Sequence, residues 1–119
     1  RDLDVMPLPN AVQKKLKEMK NMQKEIMTHG PIQVAFNVYK SFMSYKSGVY
    51  SKHWYELIPE GGHAVKIVGW GTEDGVDYWK VANSWNTSWG EGGFFKIKRG
   101  SDQCGIETKG PPYAGLAAE

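Results

Sequence analysis

Residues 61–83 read GGHAVKIVGWGTEDGVDYWKVAN, and the fold turns on this stretch. Ala64 to Trp70 and Tyr78 to Ala82 are rich in Val, Ile and aromatic residues, with Glu73, Asp74 and Gly75 between them. The pattern predicts a hairpin with Asp74 and Gly75 in its turn. Pairing around that turn sets residues whose numbers total about 147 opposite one another. His63 opens the first strand and Asn83 ends the second, so this register makes them near cross-strand neighbours within side-chain reach. Gly61 and Gly62, just before His63, let another group approach the imidazole closely.

Outward from the hairpin, the chain reads as helical first and strand-rich afterwards. From Asn10 to His29 the apolar residues Val12, Leu16, Met19, Met22 and Ile26 recur every three or four positions, which predicts an amphipathic helix. Asn10, following Pro7 and Pro9, is placed to cap its start, and Gly30 and Pro31 stop it. Lys14, Lys15, Lys17 and Lys20 are read as a solvated face rather than a polyanion or lipid site. Ile32 to Val38 reads as a strand buried mainly on one face, and a short helix is expected around Tyr39 to Tyr45, before Gly48. Residues 51–60 look irregular, and their Trp54 and Tyr55 either line a binding surface or pack locally. Phe94 to Ile97 predicts a further strand after Gly90, Gly92 and Gly93, and Pro111 and Pro112 begin an extended tail. The expected organisation is an N-terminal extension and helix over 1–29, a main unit over 30–110 and a tail over 111–119, with no internal repeat.

Composition narrows the class. Of the 119 residues 40% are hydrophobic and 24% charged, which is not a disordered composition. No apolar run approaches the roughly 20 residues of a membrane helix, so no membrane partner is expected. A net charge of +2 gives no field to hold a polyanion, so nucleic acid is not expected either. The sequence begins at Arg1 with no leader-like pattern, and the expectation is a processed or truncated product. One cysteine, Cys104, cannot close an internal disulfide and leaves the redox compartment open.

Chemistry concentrates near His63 and Asn83. His29 and His53 stand in polar surroundings and read as surface or capping residues, and the histidine spacing fits no usual zinc pattern. No metal or cofactor is expected.

Gly61, Gly62, His63 and Ala64, then Val68, Gly69, Trp70 and Gly71, then Asn83 through Gly90, resemble the His and Asn regions of papain-like cysteine peptidases. Cys104, Gly105, Ile106 and Glu107 extend the similarity. Asn86 and Thr87 between the two tryptophans, with Val81 and Ala82 before Asn83, are most similar to the cathepsin B branch.

The resemblance implies an α+β fold, the strand-rich right-hand half of the papain-like architecture, with an antiparallel, barrel-like sheet preceded by the amphipathic helix. It implies His63 as general base and imidazolium partner of a catalytic thiolate, and Asn83 as the amide that orients it. Trp85 is expected to cover the His63–Asn83 hydrogen bond or to pack in the core. Trp89 is expected to form part of the wall on the leaving-group side. Ala35, Gly62 and Lys109 fall near the pocket for the second substrate residue before the cut. Lys109 stands where cathepsin B has an acidic group; it either repels Arg there and tolerates an acidic side chain, or points to solvent.

The departure from the family pattern is large. No Cys-Gly-Ser-Cys-Trp motif occurs, and the family spacing puts the nucleophile at least roughly 50 residues before Arg1. Cys104, on the wrong side of His63, is not expected to replace it. The expected partners are therefore a peptide or protein substrate and a missing N-terminal half, which would carry the cysteine and the occluding loop. The face that normally packs on that half should be apolar and open. The leading reading is a cysteine peptidase inactive as this chain alone, with lysosomal or secreted placement implied by the family. The alternative is a non-catalytic homologue that binds protein through the same cleft; a free-standing β module for peptide or glycan has little support. Asn86, Thr87 and Ser88 also spell an N-glycosylation sequon, although the family motif already accounts for Asn86 and Thr87.

Overall fold

The computed structural model describes residues 9–107; Lys109 and the tail from Pro111 lie outside the described residues. Helix α1 runs Asn10–His29, the span the apolar periodicity predicts. Met19 and Met22 are buried, with Leu16 and Ile26 packed partly against the same core. Asn10 does not cap the helix. Pro9 holds the cap position in an extended conformation, and its carbonyl accepts the Gln13 N–H at 3.0 Å, so Asn10 falls inside the first turn. At the other end Gly30 takes φ +93° and returns its N–H to the Ile26 carbonyl at 2.8 Å.

Five strands follow: β1 Ile32–Val38, β2 Val49–Tyr50, β3 Gly61–Glu73, β4 Val76–Ala82 and β5 Phe94–Lys98. A single-turn helix α2, Lys40–Met43, lies between β1 and β2. They form one sheet in the order β1-β3-β4-β5-β2, antiparallel except for the β2–β5 pair. The α+β class is as expected. The buried face carries Ile32, Val34 and Phe36 of β1, Ile67 of β3, Trp79 and Val81 of β4, and Phe95 and Ile97 of β5. Phe42 of α2 closes this core, its ring edge-on to Phe95 at 4.7 Å and to Phe36 at 5.2 Å. Among the described residues no helix is long and apolar enough to cross a membrane.

The hairpin turn is Asp74 and Gly75, with φ of 51° and 80°, the left-handed pair that a two-residue turn between right-twisted strands demands. The register differs from the sequence expectation. Glu73 pairs with Val76 and Gly69 with Lys80, and an irregularity between Ile67 and Gly69 then shifts the ladder so that Ile67 meets Val81 and Lys66 meets Ala82. The sequence count places partners about two residues off beside the turn, because it ignores the turn's tightness, and about one residue off beyond the bulge, which absorbs part of that difference.

The stretch 51–60 is irregular, as expected, but its apolar residues do not pack inward. Trp54 is 86%, Leu57 79% and Ile58 84% exposed. Tyr55 stacks on His53, ring centroids 5.1 Å apart, and Trp54 lies edge-on to Tyr55. Glu56 ties this stretch to α2 by accepting the Ser41 hydroxyl at 2.6 Å and the Ser41 N–H at 3.0 Å. Farther along, the buried Glu107 carboxylate accepts Trp79 Nε1–H at 2.8 Å, Gly100 N–H at 2.6 Å and Asp102 N–H at 3.1 Å. Burial nevertheless pushes its carboxyl above the usual range.

Candidate active site

His63 lies on β3 opposite Phe36 of β1, near the open end of the buried face, with the two rings 6.2 Å apart. Asn83 is the residue just after β4, and its N–H is held by the Gly93 carbonyl at 3.0 Å. The Asn83 side chain bridges the two segments: Oδ1 lies 2.8 Å from His63 Nε2 and accepts the Ser84 N–H at 2.7 Å.

That second bond identifies the atom facing Ser84 as oxygen, so His63 Nε2 is the donor and carries a proton. The Nδ1 nitrogen is left for another partner. Turning the amide over would set its NH2 against the Ser84 N–H, donor to donor. Asn83 Nδ2 is itself buried without a partner among the described residues.

The pair is diagonal rather than directly cross-strand. Lys66 faces Ala82, so continuing the ladder one step sets Asn83 opposite Val65, two residues from His63 and on its face. The bulge at Val68 makes this possible. On the register nearer the turn, Asn83 would fall opposite Lys66, on the other face of the sheet.

Trp85 stacks on the imidazole at 5.3 Å and 27°, and meets Trp89 edge-on at 4.9 Å. Trp89 continues the row to Phe42 at 5.0 Å and Tyr45 at 5.5 Å, and its Nε1–H donates to the Met43 carbonyl at 3.3 Å. Trp85 thus covers the imidazole and packs on the core together. The loop carrying both tryptophans closes at Gly90, where φ is +62° and a Cβ would stand 2.7 Å from the Phe94 carbonyl oxygen.

Ala35 pairs with Ala64, and Gly62 pairs with Asn37. Ala35, Gly62 and Ala64 therefore share the sheet face opposite His63. Ala64 completes this small-residue surface; the sequence motif includes it but does not assign it to the pocket, and its signal is its place two residues after Gly62. A hollow of about 190 Å³ is lined by the consecutive residues Glu60, Gly61, Gly62 and His63 together with Val38, Met43 and Trp85, which the fold brings in from β1, α2 and the loop after β4. Trp89 lines a neighbouring depression with Met43 and Tyr45.

Cys104 sits in a 3-10 turn, Gln103–Gly105, buried, with Gln103 Oε1 3.8 Å from its sulfur. Burial pushes its thiol up to about 12, the reverse of what a nucleophile needs. Of the other histidines, His29 is exposed and pairs with Glu25 at 3.0 Å, and His53 stacks on Tyr55. Asn86 is exposed and accepts from the Ser88 N–H at 2.8 Å and from the Ser88 hydroxyl.

An imidazole oriented by a carboxamide under an indole, on this sheet, defines a class. The family model described as papain family cysteine protease matches residues 5–111, and the chain belongs to that family. It is 57% identical over 91 residues to "Cathepsin B-like cysteine proteinase 6" of Caenorhabditis elegans, an alignment covering 76% of this chain and 24% of the relative. It is 56% identical over 92 residues to the "Gut-specific cysteine proteinase" of the same organism, covering 77% and 27%. Among solved structures, procathepsin B S9 from Trypanosoma congolense superposes with a TM-score of 0.70 at 44% identity, covering 74% of this chain and 30% of that one. The chain thus spans about a quarter of the length of the curated relatives it matches.

Proposed function

We propose that this chain supplies the general base, its orienting amide and part of the substrate cleft of a cathepsin B-like cysteine peptidase, whose nucleophilic sulfur comes from residues outside it. The observation that carries the reading is the 2.8 Å contact between His63 Nε2 and Asn83 Oδ1, which commits one imidazole nitrogen and leaves Nδ1 for a thiol.

A thiol at Nδ1 passes its proton to the ring, and the thiolate–imidazolium pair is the attacking state. The sulfur adds to the peptide carbonyl carbon. As the C–N bond breaks, Nδ1–H protonates the leaving amine and an acyl-thioester remains. Water then attacks with His63 taking its proton, which releases the acid and restores the thiolate–imidazolium pair. Asn83 holds the ring plane through both transfers, and Trp85 shields one face. Successive residues of a strand point to opposite faces, so His63 serves the cut while neighbouring Gly62, with Ala35 and Ala64, receives the second residue before it. Lys109 belongs to this pocket in the same reading, and Lys109→Glu should raise cleavage of substrates with Arg there. The exposed Trp54, Leu57 and Ile58 favour a partner surface supplied by the rest of the protein. Lysosomal or secreted placement goes with this function.

The complete protein tests the reading. A thiol-directed epoxide should label one cysteine outside residues 1–119, and His63→Ala should abolish labelling and turnover together. Ser or Gly at the nucleophile position with no label overturns it in favour of a non-catalytic protein-binding homologue.

A further inference from the structure

The hollow beside His63 contains one carboxylate that the reaction does not use. Glu60 lines it with its side chain exposed, and among the described residues no hydrogen bond or ion pair engages its carboxylate. Its backbone is fixed: the Glu60 N–H donates to the Val38 carbonyl at 2.7 Å, next to the start of β3. The sheet therefore sets where the Glu60 backbone stands relative to His63, and the side chain starts from that fixed point.

We infer that Glu60 makes this hollow select a cationic side chain, Lys or Arg, on the residue immediately following the scissile bond. The inference rests on the peptidase reading above. His63 gives its proton to the leaving amine, so the residue bearing that amine must lie against the imidazole when the bond breaks. Nε2 is taken by Asn83 and one ring face by Trp85, and the hollow shared with Val38 and Met43 borders the same ring. A Lys or Arg side chain matches its walls along its length. The aliphatic stem meets Val38 and Met43, and the charged end meets the Glu60 carboxylate and the Trp85 indole, both of which attract cations. An acidic residue would instead meet like charge.

Internally quenched peptides that differ only at the residue after the cut (Lys, norleucine or Glu), incubated with the complete enzyme, test this. The Lys peptide should exceed the norleucine peptide in kcat/KM by about three- to tenfold, with the Glu peptide below both. Glu60→Gln should bring the Lys-to-norleucine ratio to within twofold, and Glu60→Lys should place the Glu peptide above the Lys peptide. A ratio unchanged by Glu60→Gln overturns the assignment while leaving the peptidase standing. Failure to cleave any of the three peptides overturns both.

Discussion

Asn83 Oδ1 stands between two donors, His63 Nε2 at 2.8 Å and the Ser84 N–H at 2.7 Å, so the backbone just after Asn83 locks the amide that holds the imidazole. Asn83→Ala should leave the sheet intact, because the Asn83 N–H to Gly93 bond does not involve the side chain. In the complete protein it should lower kcat by about 10²-fold through loss of ring orientation, with KM little changed. Steady-state kinetics beside a far-ultraviolet spectrum checks this, and a drop confined to KM contradicts it.

Val68 is the extra residue that the bulge absorbs. Deleting it makes Ile67–Val81 and Gly69–Lys80 consecutive pairs, so both halves of the ladder keep their faces and His63 still meets Asn83. Deleting Ala64, where no irregularity exists, turns His63 to the open face. Epoxide labelling of the complete protein should survive the first deletion and vanish with the second. A folded Val68 deletion that no longer labels would refute this account of the register.

Burial disfavours the Cys104 thiolate, so this cysteine should be unreactive in the folded protein. Cys104→Ser should leave labelling and turnover unchanged while costing about 1–3 kcal/mol of stability, since a more polar hydroxyl replaces a thiol in a buried site. Thiol alkylation followed by peptide mapping should find residue 104 modified only after unfolding; rapid modification in the native protein would contradict the prediction.

Glu56 gives loop 51–60 a dependence on acid. Burial opposes its charge, but the Ser41 hydroxyl, the Ser41 N–H and the His53 N–H outweigh that, and its carboxyl titrates below the usual value. A lowered carboxyl stabilises the fold above its unfolded value, about 4.3, and loses that contribution as pH falls through the folded value. The Tm difference between wild type and Glu56→Gln should therefore be level near neutrality and shrink below about pH 4. A difference that grows in acid would be the wrong sign.

The parts legible in sequence are those set by neighbours along the chain. The three-to-four spacing from Val12 to Ile26 and the stop at Gly30 marked α1 to the residue, while the cap failed because Pro9 competes with Asn10 for that position. Alternation marked β1, and Asp74 with Gly75 marked the turn. The family motifs singled out His63, Asn83, Trp85 and Trp89. Val38 and Met43 had no such signal, since what joins them to His63 is a shared hollow and not a spacing, and Glu60 stood next to the motif without being part of it.

The amino-acid order by itself determined which segments are helix or strand, and that an imidazole on one strand and a carboxamide just past the end of the next lie at the same end of the hairpin. Only the tertiary structure decided that they face each other. Strand side chains alternate with period two, so one absorbed residue at Val68 chooses the face, and sequence reading does not reveal which residue a ladder leaves unpaired.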